Sequence, residues 1–97
     1  MRVIARRTLR EYYTGRPEVE HALESWYALV RRADWKRPGD VLKTFPKARL
    51  VGKDRVIFGI QRNRYRLVVQ IAYVSQIVYI RFVGTHKEYD AINVEEI

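Results

Sequence analysis

The stretch Thr85-His86-Lys87-Glu88-Tyr89-Asp90 gathers an imidazole, a phenol, an amine and two carboxylates within six residues. In a helical turn, residues three and four apart face the same way, so His86, Tyr89 and Asp90 would form one cluster. Groups of this kind give and take protons, which is general acid–base chemistry. The cluster also closes the one strongly charged segment of the chain. Between Lys43 and Lys87 stand ten bases and a single acid, Asp54, whereas the remaining residues carry nine bases and ten acids. The net charge of +8 is therefore local. Lys and Arg neutralise phosphates and hold a strand in register, so proton-transfer groups at the end of a cationic surface suit a nucleic acid. RNA brings its own nucleophile, the 2′-hydroxyl. An enzyme acting on it needs a base for that proton, cations for the phosphorane charge, and an acid for the leaving oxygen. The plainer readings are a hydrogen-bonding histidine at a strand end, a tyrosine closing the core, acids balancing Lys87, and Arg64, Arg66 and Arg81 on a solvated strand face.

Arg outnumbers Lys fourteen to five, and its planar fork favours bidentate phosphate contact and base stacking. Other chemistries lack their residues. The chain has no Cys, which removes disulfides, thiolate metal sites and Cys nucleophiles. His21 is far from His86, so no metal-ligand spacing is present. There is no Gly-rich phosphate loop, and Ser75 has no adjacent base. No metal and no cofactor are expected. The N-terminal Met1-Arg2-Val3-Ile4-Ala5-Arg6-Arg7 lacks the apolar stretch of a signal peptide and nothing approaches a membrane span, so a cytoplasmic protein without membrane association is expected. Ninety-seven residues, 47% hydrophobic with seven Tyr and two Trp, fit one folded domain over residues 1–97. That length is near the low end for a self-sufficient core.

A sheet must carry the cations and deliver the cluster. From Ala48 the apolar period is two. Val56, Phe58 and Ile60 share one face, and Tyr65, Leu67, Val69, Ile71 and Tyr73 oppose Arg64, Arg66, Val68 and Gln70. After a turn at Val74-Ser75, Ile77, Tyr79, Arg81 and Val83 alternate with Val78, Ile80 and Phe82. Consecutive hairpins make a meander, and Arg2–Ala5 reads as a short extra strand. Two helices precede it. Thr8 and Glu11 fit a capping box ahead of Tyr12, Tyr13 and Gly15. Pro17 opens a longer helix whose Val19, Ala22, Leu23, Trp26, Leu29 and Val30 form one buried stripe. Pro38-Gly39 breaks the connector, Asp40 caps a short turn through Phe45, and Trp35 packs on the core. The predicted fold is α+β: a small, mainly antiparallel sheet packed on two N-terminal helices.

Asn63-Arg64-Tyr65-Arg66-Leu67-Val68-Val69-Gln70-Ile71, then Ile80-Arg81-Phe82-Val83-Gly84-Thr85-His86-Lys87-Glu88-Tyr89-Asp90, resembles the HigB toxins of bacterial type II toxin–antitoxin systems. Ala33-Asp34-Trp35 and the connector after it extend the likeness over nearly the whole chain. The Gly-Thr-His-Lys-Glu-Tyr-Asp string is its most specific part. The resemblance implies the RelE/ParE-like fold and an mRNA endoribonuclease that cuts transcripts on the translating ribosome. It also implies a HigA antitoxin with a helix-turn-helix domain, through which the complex reaches operator DNA.

Residue by residue, Tyr65-Arg66-Leu67-Val68 resembles the RelE strand whose arginine contacts the scissile phosphate, which implies that role for Arg66. His86 follows the strand-end Gly, where RelE nucleases place another catalytic arginine, and Tyr89 matches their C-terminal tyrosine. Glu88 or Asp90 would orient His86. Where RelE has catalytic lysines this chain has Ile57 and Gly59, leaving Arg55, Arg62 or Arg64 as substitutes. Lys53, Arg55, Arg62, Arg64, Arg81 and Lys87 are the expected RNA-holding cations. Two other readings share the cationic sheet: a ParE-like toxin that inhibits DNA gyrase without cutting RNA, and a non-catalytic RNA-binding module.

Overall fold

A computed structural model describes residues 1–97. Strand β1 (Arg2–Ile4) leads into helices α1 (Arg6–Tyr13) and α2 (Pro17–Arg32), and a short helix α3 (Pro38–Thr44) follows. Strands β2 (Arg49–Val51), β3 (Arg55–Ile60), β4 (Tyr65–Ala72) and β5 (Ile77–Thr85) come next, and β5 runs directly into α4 (His86–Asp90). The five strands form one sheet in the order β1-β5-β4-β3-β2. Strands β2 to β5 are an antiparallel meander, to which β1 adds in parallel along β5. This is the predicted α+β arrangement.

Helix α2 forms where its sequence supports both ends. Pro17 sits at the first turn with Glu18 and Glu20, and Arg31 and Arg32 lie in the last, each on the side that the helix dipole favours. Val19, Leu23, Trp26 and Val30 are its buried residues, spaced to make a single stripe. They meet the alternating residues Val56, Phe58, Ile60, Leu67, Val69 and Ile71 in one cluster of 15 buried side chains. Trp35 joins it at 2% exposure, with Nε1 donating to Thr44 Oγ1 at 3.1 Å.

Three local expectations need correction. Helix α1 starts at Arg6, and its N-cap Ala5 makes no side-chain cap, so no box forms at Thr8 and Glu11. Tertiary contacts draw the helix back by a turn: Leu9 is fully buried, and Arg6 Nη2 donates to Glu24 on α2 at 2.6 Å. Asp40 lies inside α3 rather than ahead of it. There its carboxylate accepts from the Lys36 amide at 2.9 Å.

The third correction shapes the site. Val69 pairs with Ile80 but Val68 pairs with Phe82, which leaves Arg81 as the extra residue of a β-bulge. Strict alternation along β5 therefore fails. Ile80 and Val83 both pack on the core cluster, while Phe82 reaches the sheet's other face, its ring 6.4 Å from that of Tyr89. On that face Ile57 and Val68 are buried outside the main cluster. Tyr89 and residues 92–95 border one cleft with Val51 and Ile57, so α4 and the chain after it lie over the face that the helices leave open.

Candidate active site

Arg66 occupies an unusual place in the sheet register. Its neighbours across the strands are Gly59 on β3 and Gly84 on β5, so no side chain stands beside it on either strand. At both glycines a neighbouring side chain occupies the space that a Cβ would take. A Cβ on Gly59 would sit 1.7 Å from Asn63 Oδ1, and one on Gly84 would sit 2.6 Å from the Phe82 ring. The Asn63 amide is thus folded over β3 and the Phe82 ring over β5, one on each side of Arg66. Arg66 Nη1 donates to the Asn63 carbonyl at 2.8 Å, and its Cζ lies 5.7 Å from the centroid of the Tyr89 ring. The guanidinium is held at one end and keeps donors free.

Helix α4 brings the proton-transfer groups to this position. His86 and Tyr89 meet edge to face with centroids 6.3 Å apart. His86 Nδ1 lies 3.3 Å from Asp90 Oδ2, one helical turn on. The carboxylate accepts the Nδ1 proton in this arrangement, which leaves Nε2 as the ring's free nitrogen. Arg66, His86, Tyr89 and Asp90 line a groove of about 370 Å³ with Asn63 and Gly59. Spacing three and four apart predicted this cluster, and the structure brings its members together with Arg66.

Glu88 does not join them. Thr85 and Glu88 form a complete capping box: the Thr85 amide donates to Glu88 Oε1 at 2.8 Å, and the Glu88 amide donates to Thr85 Oγ1 at 3.2 Å. The Tyr12 hydroxyl of α1 lies 3.5 Å from the same carboxylate oxygen. Of the two acids proposed to orient His86, only Asp90 reaches it, and Glu88 instead builds the turn that carries it. The Thr85 amide, followed by its side chain, holds the Glu88 carboxyl below its ordinary value of 4.5. A lowered folded-state pKa means that ionised Glu88 stabilises the turn above the ordinary range, and the contribution is lost as pH falls through the lowered value. The Thr85 amide resonance should therefore titrate with a midpoint below 4.5, and Glu88→Gln, which keeps the box geometry, should remove that step. A Thr85 resonance that stays flat through acid in the wild-type protein would contradict the box.

The expected RNA-holding cations divide. Arg62 and Arg64 are exposed in the turn that carries Asn63, and the Arg64 carbonyl accepts from the His86 amide at 3.1 Å. Lys87 is exposed on α4. Arg81 turns away from the groove, donating twice to Gln70 Oε1 and stacking on Tyr79. Arg55 is only 17% exposed in its pair with Asp54, and it also donates to the Ile97 carbonyl. Lys53 lies in the β2–β3 turn, about 20 Å along the strand from Gly59. Arg55 and Lys53 therefore stand at the opposite end of the sheet.

Two cations were missed. Lys47 and Arg49 line the groove opposite α4, brought there by β2, which pairs Arg49 with Ile57. They, and not Arg55, stand beside Ile57 and Gly59 in the groove. Lys47, Arg49, Arg62, Arg64 and Arg66 form no pair with a carboxylate. The groove's net charge is open to an anionic ligand. Across the whole chain no three His, Asp or Glu side chains gather to hold a metal.

Residues 19–92 match the family HigB_toxin, the RelE-like toxic component of a toxin-antitoxin system. The chain belongs to the HigB toxin family. Every groove residue from Lys47 to Asp90 falls inside the matched span. Among similar proteins, the mRNA interferase toxin HigB of Escherichia coli strain K12 is 28% identical over 93 residues, covering 93% of this chain and 88% of the relative. The mRNA interferase HigB proteins of Escherichia coli O157:H7 and Shigella flexneri show the same identity and coverage. As a HigB-family member the chain is the toxin of a toxin–antitoxin system, which implies an antitoxin partner. No helix of this HigB-family chain is long and apolar enough to cross a membrane.

Proposed function

We propose that the protein is a ribosome-dependent mRNA endoribonuclease that blocks translation, with residues 1–97 forming one toxin domain in the cytoplasm. The observation that carries this is the groove in which Arg66, Tyr89 and the His86–Asp90 pair converge between cations that no protein carboxylate neutralises. The names of the similar proteins, all mRNA interferases, support the same reading.

In this reading the scissile phosphate sits against Arg66. The 2′-oxygen attacks phosphorus, the new O–P bond forms, and the bond to the 5′-oxygen breaks, leaving a 2′,3′-cyclic phosphate and a 5′-hydroxyl. His86 and Tyr89 exchange the two protons, one removed from the 2′-hydroxyl and one given to the leaving oxygen. Asp90 fixes the orientation and tautomer of the His86 ring. Arg66, with Lys47 and Arg49 nearby, stabilises the phosphorane, where preorganised donors act most strongly. The antitoxin is a HigA-type helix-turn-helix protein, and operator DNA is reached only through the complex.

Binding should be steeply salt-dependent. If Lys47, Arg49, Arg62, Arg64 and Arg66 each meet a phosphate of single-stranded RNA, the log–log slope of affinity against salt should be about −3 to −4. A slope near zero for a short RNA would turn the cationic face over to a protein partner. Mapping RNA 5′ ends after brief induction in cells tests the function itself. Discrete new ends inside translated frames are expected, whereas intact messages with gyrase-linked DNA damage would transfer the protein to the ParE-like class.

A further inference from the structure

A second cavity, of about 410 Å³, opens beside the groove and shares Lys47, Gly59 and Asn63 with it. Its character differs from the groove's. Phe45 and Phe58 supply apolar rings, Lys47 and Arg62 supply cations, and no acid lines it. Phe45, the C-cap of α3, is half-buried. Its ring is pinned edge to face against Trp35, centroids 6.1 Å apart, and Phe58, 5.0 Å apart. A fixed aromatic surface between cations is what an unstacked base and its phosphate need, since bases stack on aromatic rings while Lys and Arg follow the backbone. Position selects the ligand further. A strand whose phosphate rests on Arg66 passes Asn63 and Gly59, the boundary that the two cavities share, before it can leave in this direction.

We propose that this cavity is a nucleobase subsite of the cleavage groove: it receives the base of a nucleotide flanking the scissile phosphate, against Phe45, while Lys47 and Arg62 hold the adjoining phosphate. The proposal rests on the nuclease reading and adds to it a contact with a specific neighbouring nucleotide. The aromatic comes from the end of α3 in the connector.

Single-turnover cleavage on ribosomes programmed with a matched set of messages tests this. Each message carries one abasic nucleotide, moved stepwise from two positions before the cut to two after it. In the wild-type protein one flanking position should slow cleavage by roughly tenfold to a hundredfold, the range that base–aromatic stacking spans. Phe45→Leu should slow cleavage of the intact message by a similar factor, and the abasic nucleotide at that position should then add little. An abasic penalty that is the same in Phe45→Leu as in wild type, or absent at every flanking position, would overturn the subsite while leaving the nuclease standing. Absence of wild-type cleavage on any message would overturn both. Cross-linking needs no variant: 4-thiouridine at the sensitive position should attach to residues 44–48 or 58–63 of the wild-type protein. Attachment only elsewhere would also overturn the subsite.

Discussion

Arg66→Ala should reduce mRNA cleavage by about a hundredfold to a thousandfold and nearly abolish growth inhibition, with the fold intact. Removing one preorganised donor to a developing phosphorane typically costs about 3 kcal/mol. Arg66 fits that role because the sheet clears a space for it, with Gly59 and Gly84 as its cross-strand neighbours. The guanidinium is braced by the Asn63 carbonyl and the Tyr89 ring rather than by a carboxylate that would cancel its charge. Its side chain is part-exposed and its hydrogen bond goes to a carbonyl of the surface turn, so truncation should leave stability nearly unchanged. Arg66→Lys should fall between the two, since it keeps the charge but loses the planar fork. Growth inhibition measured beside soluble expression and thermal melting separates the outcomes. Full toxicity of a stably folded Arg66→Ala protein would remove Arg66 from the chemistry.

His86→Gln should slow cleavage at least about 100-fold, the low end of general acid–base contributions. Glutamine preserves approximate size and hydrogen bonding, including a donor toward Asp90, but cannot shuttle a proton. The side chain is 54% exposed, so the variant should fold and still bind ribosomes. Asp90→Asn probes the same ring from behind. It keeps a hydrogen-bond acceptor near Nδ1 but holds the ring's orientation and tautomer less firmly, so its loss should be smaller than that of His86→Gln. Wild-type single-turnover rates in His86→Gln would reduce His86 to a structural residue and shift the chemistry to Arg66 and Tyr89.

The parts of the site that depend on local geometry were legible in the sequence. Helical spacing alone joins His86, Tyr89 and Asp90, and a period of two puts Arg66 on the face opposite Leu67 and Val69. The parts that depend on pairing between strands were not. Lys47 and Arg49 enter the groove only because Gly52, at φ 61, allows the tight turn that folds β2 back on β3. The bulge at Arg81 sends Phe82 to the open face and Arg81 out of the groove, and no alternation pattern predicts an inserted residue. The capping-box signature occurs twice in the chain and closes only at α4. At Thr8-x-x-Glu11 tertiary packing of Leu9 and Arg6 extends the helix past the signal. At Thr85-x-x-Glu88 the strand ends and the same signature sets the turn, so Glu88 supports the turn that carries His86 and does not contact its ring.

In the proposed reaction the RNA's own 2′-hydroxyl is the nucleophile, driven by Arg66, His86 and Tyr89. Single-turnover cleavage by purified protein on programmed ribosomes, with the product ends identified, tests it most directly. Wild-type protein should leave a 2′,3′-cyclic phosphate and a 5′-hydroxyl, and one 2′-deoxynucleotide placed at the cut should make the message refractory. Cleavage that survives the deoxy substitution, or that leaves a 5′-phosphate, would contradict it.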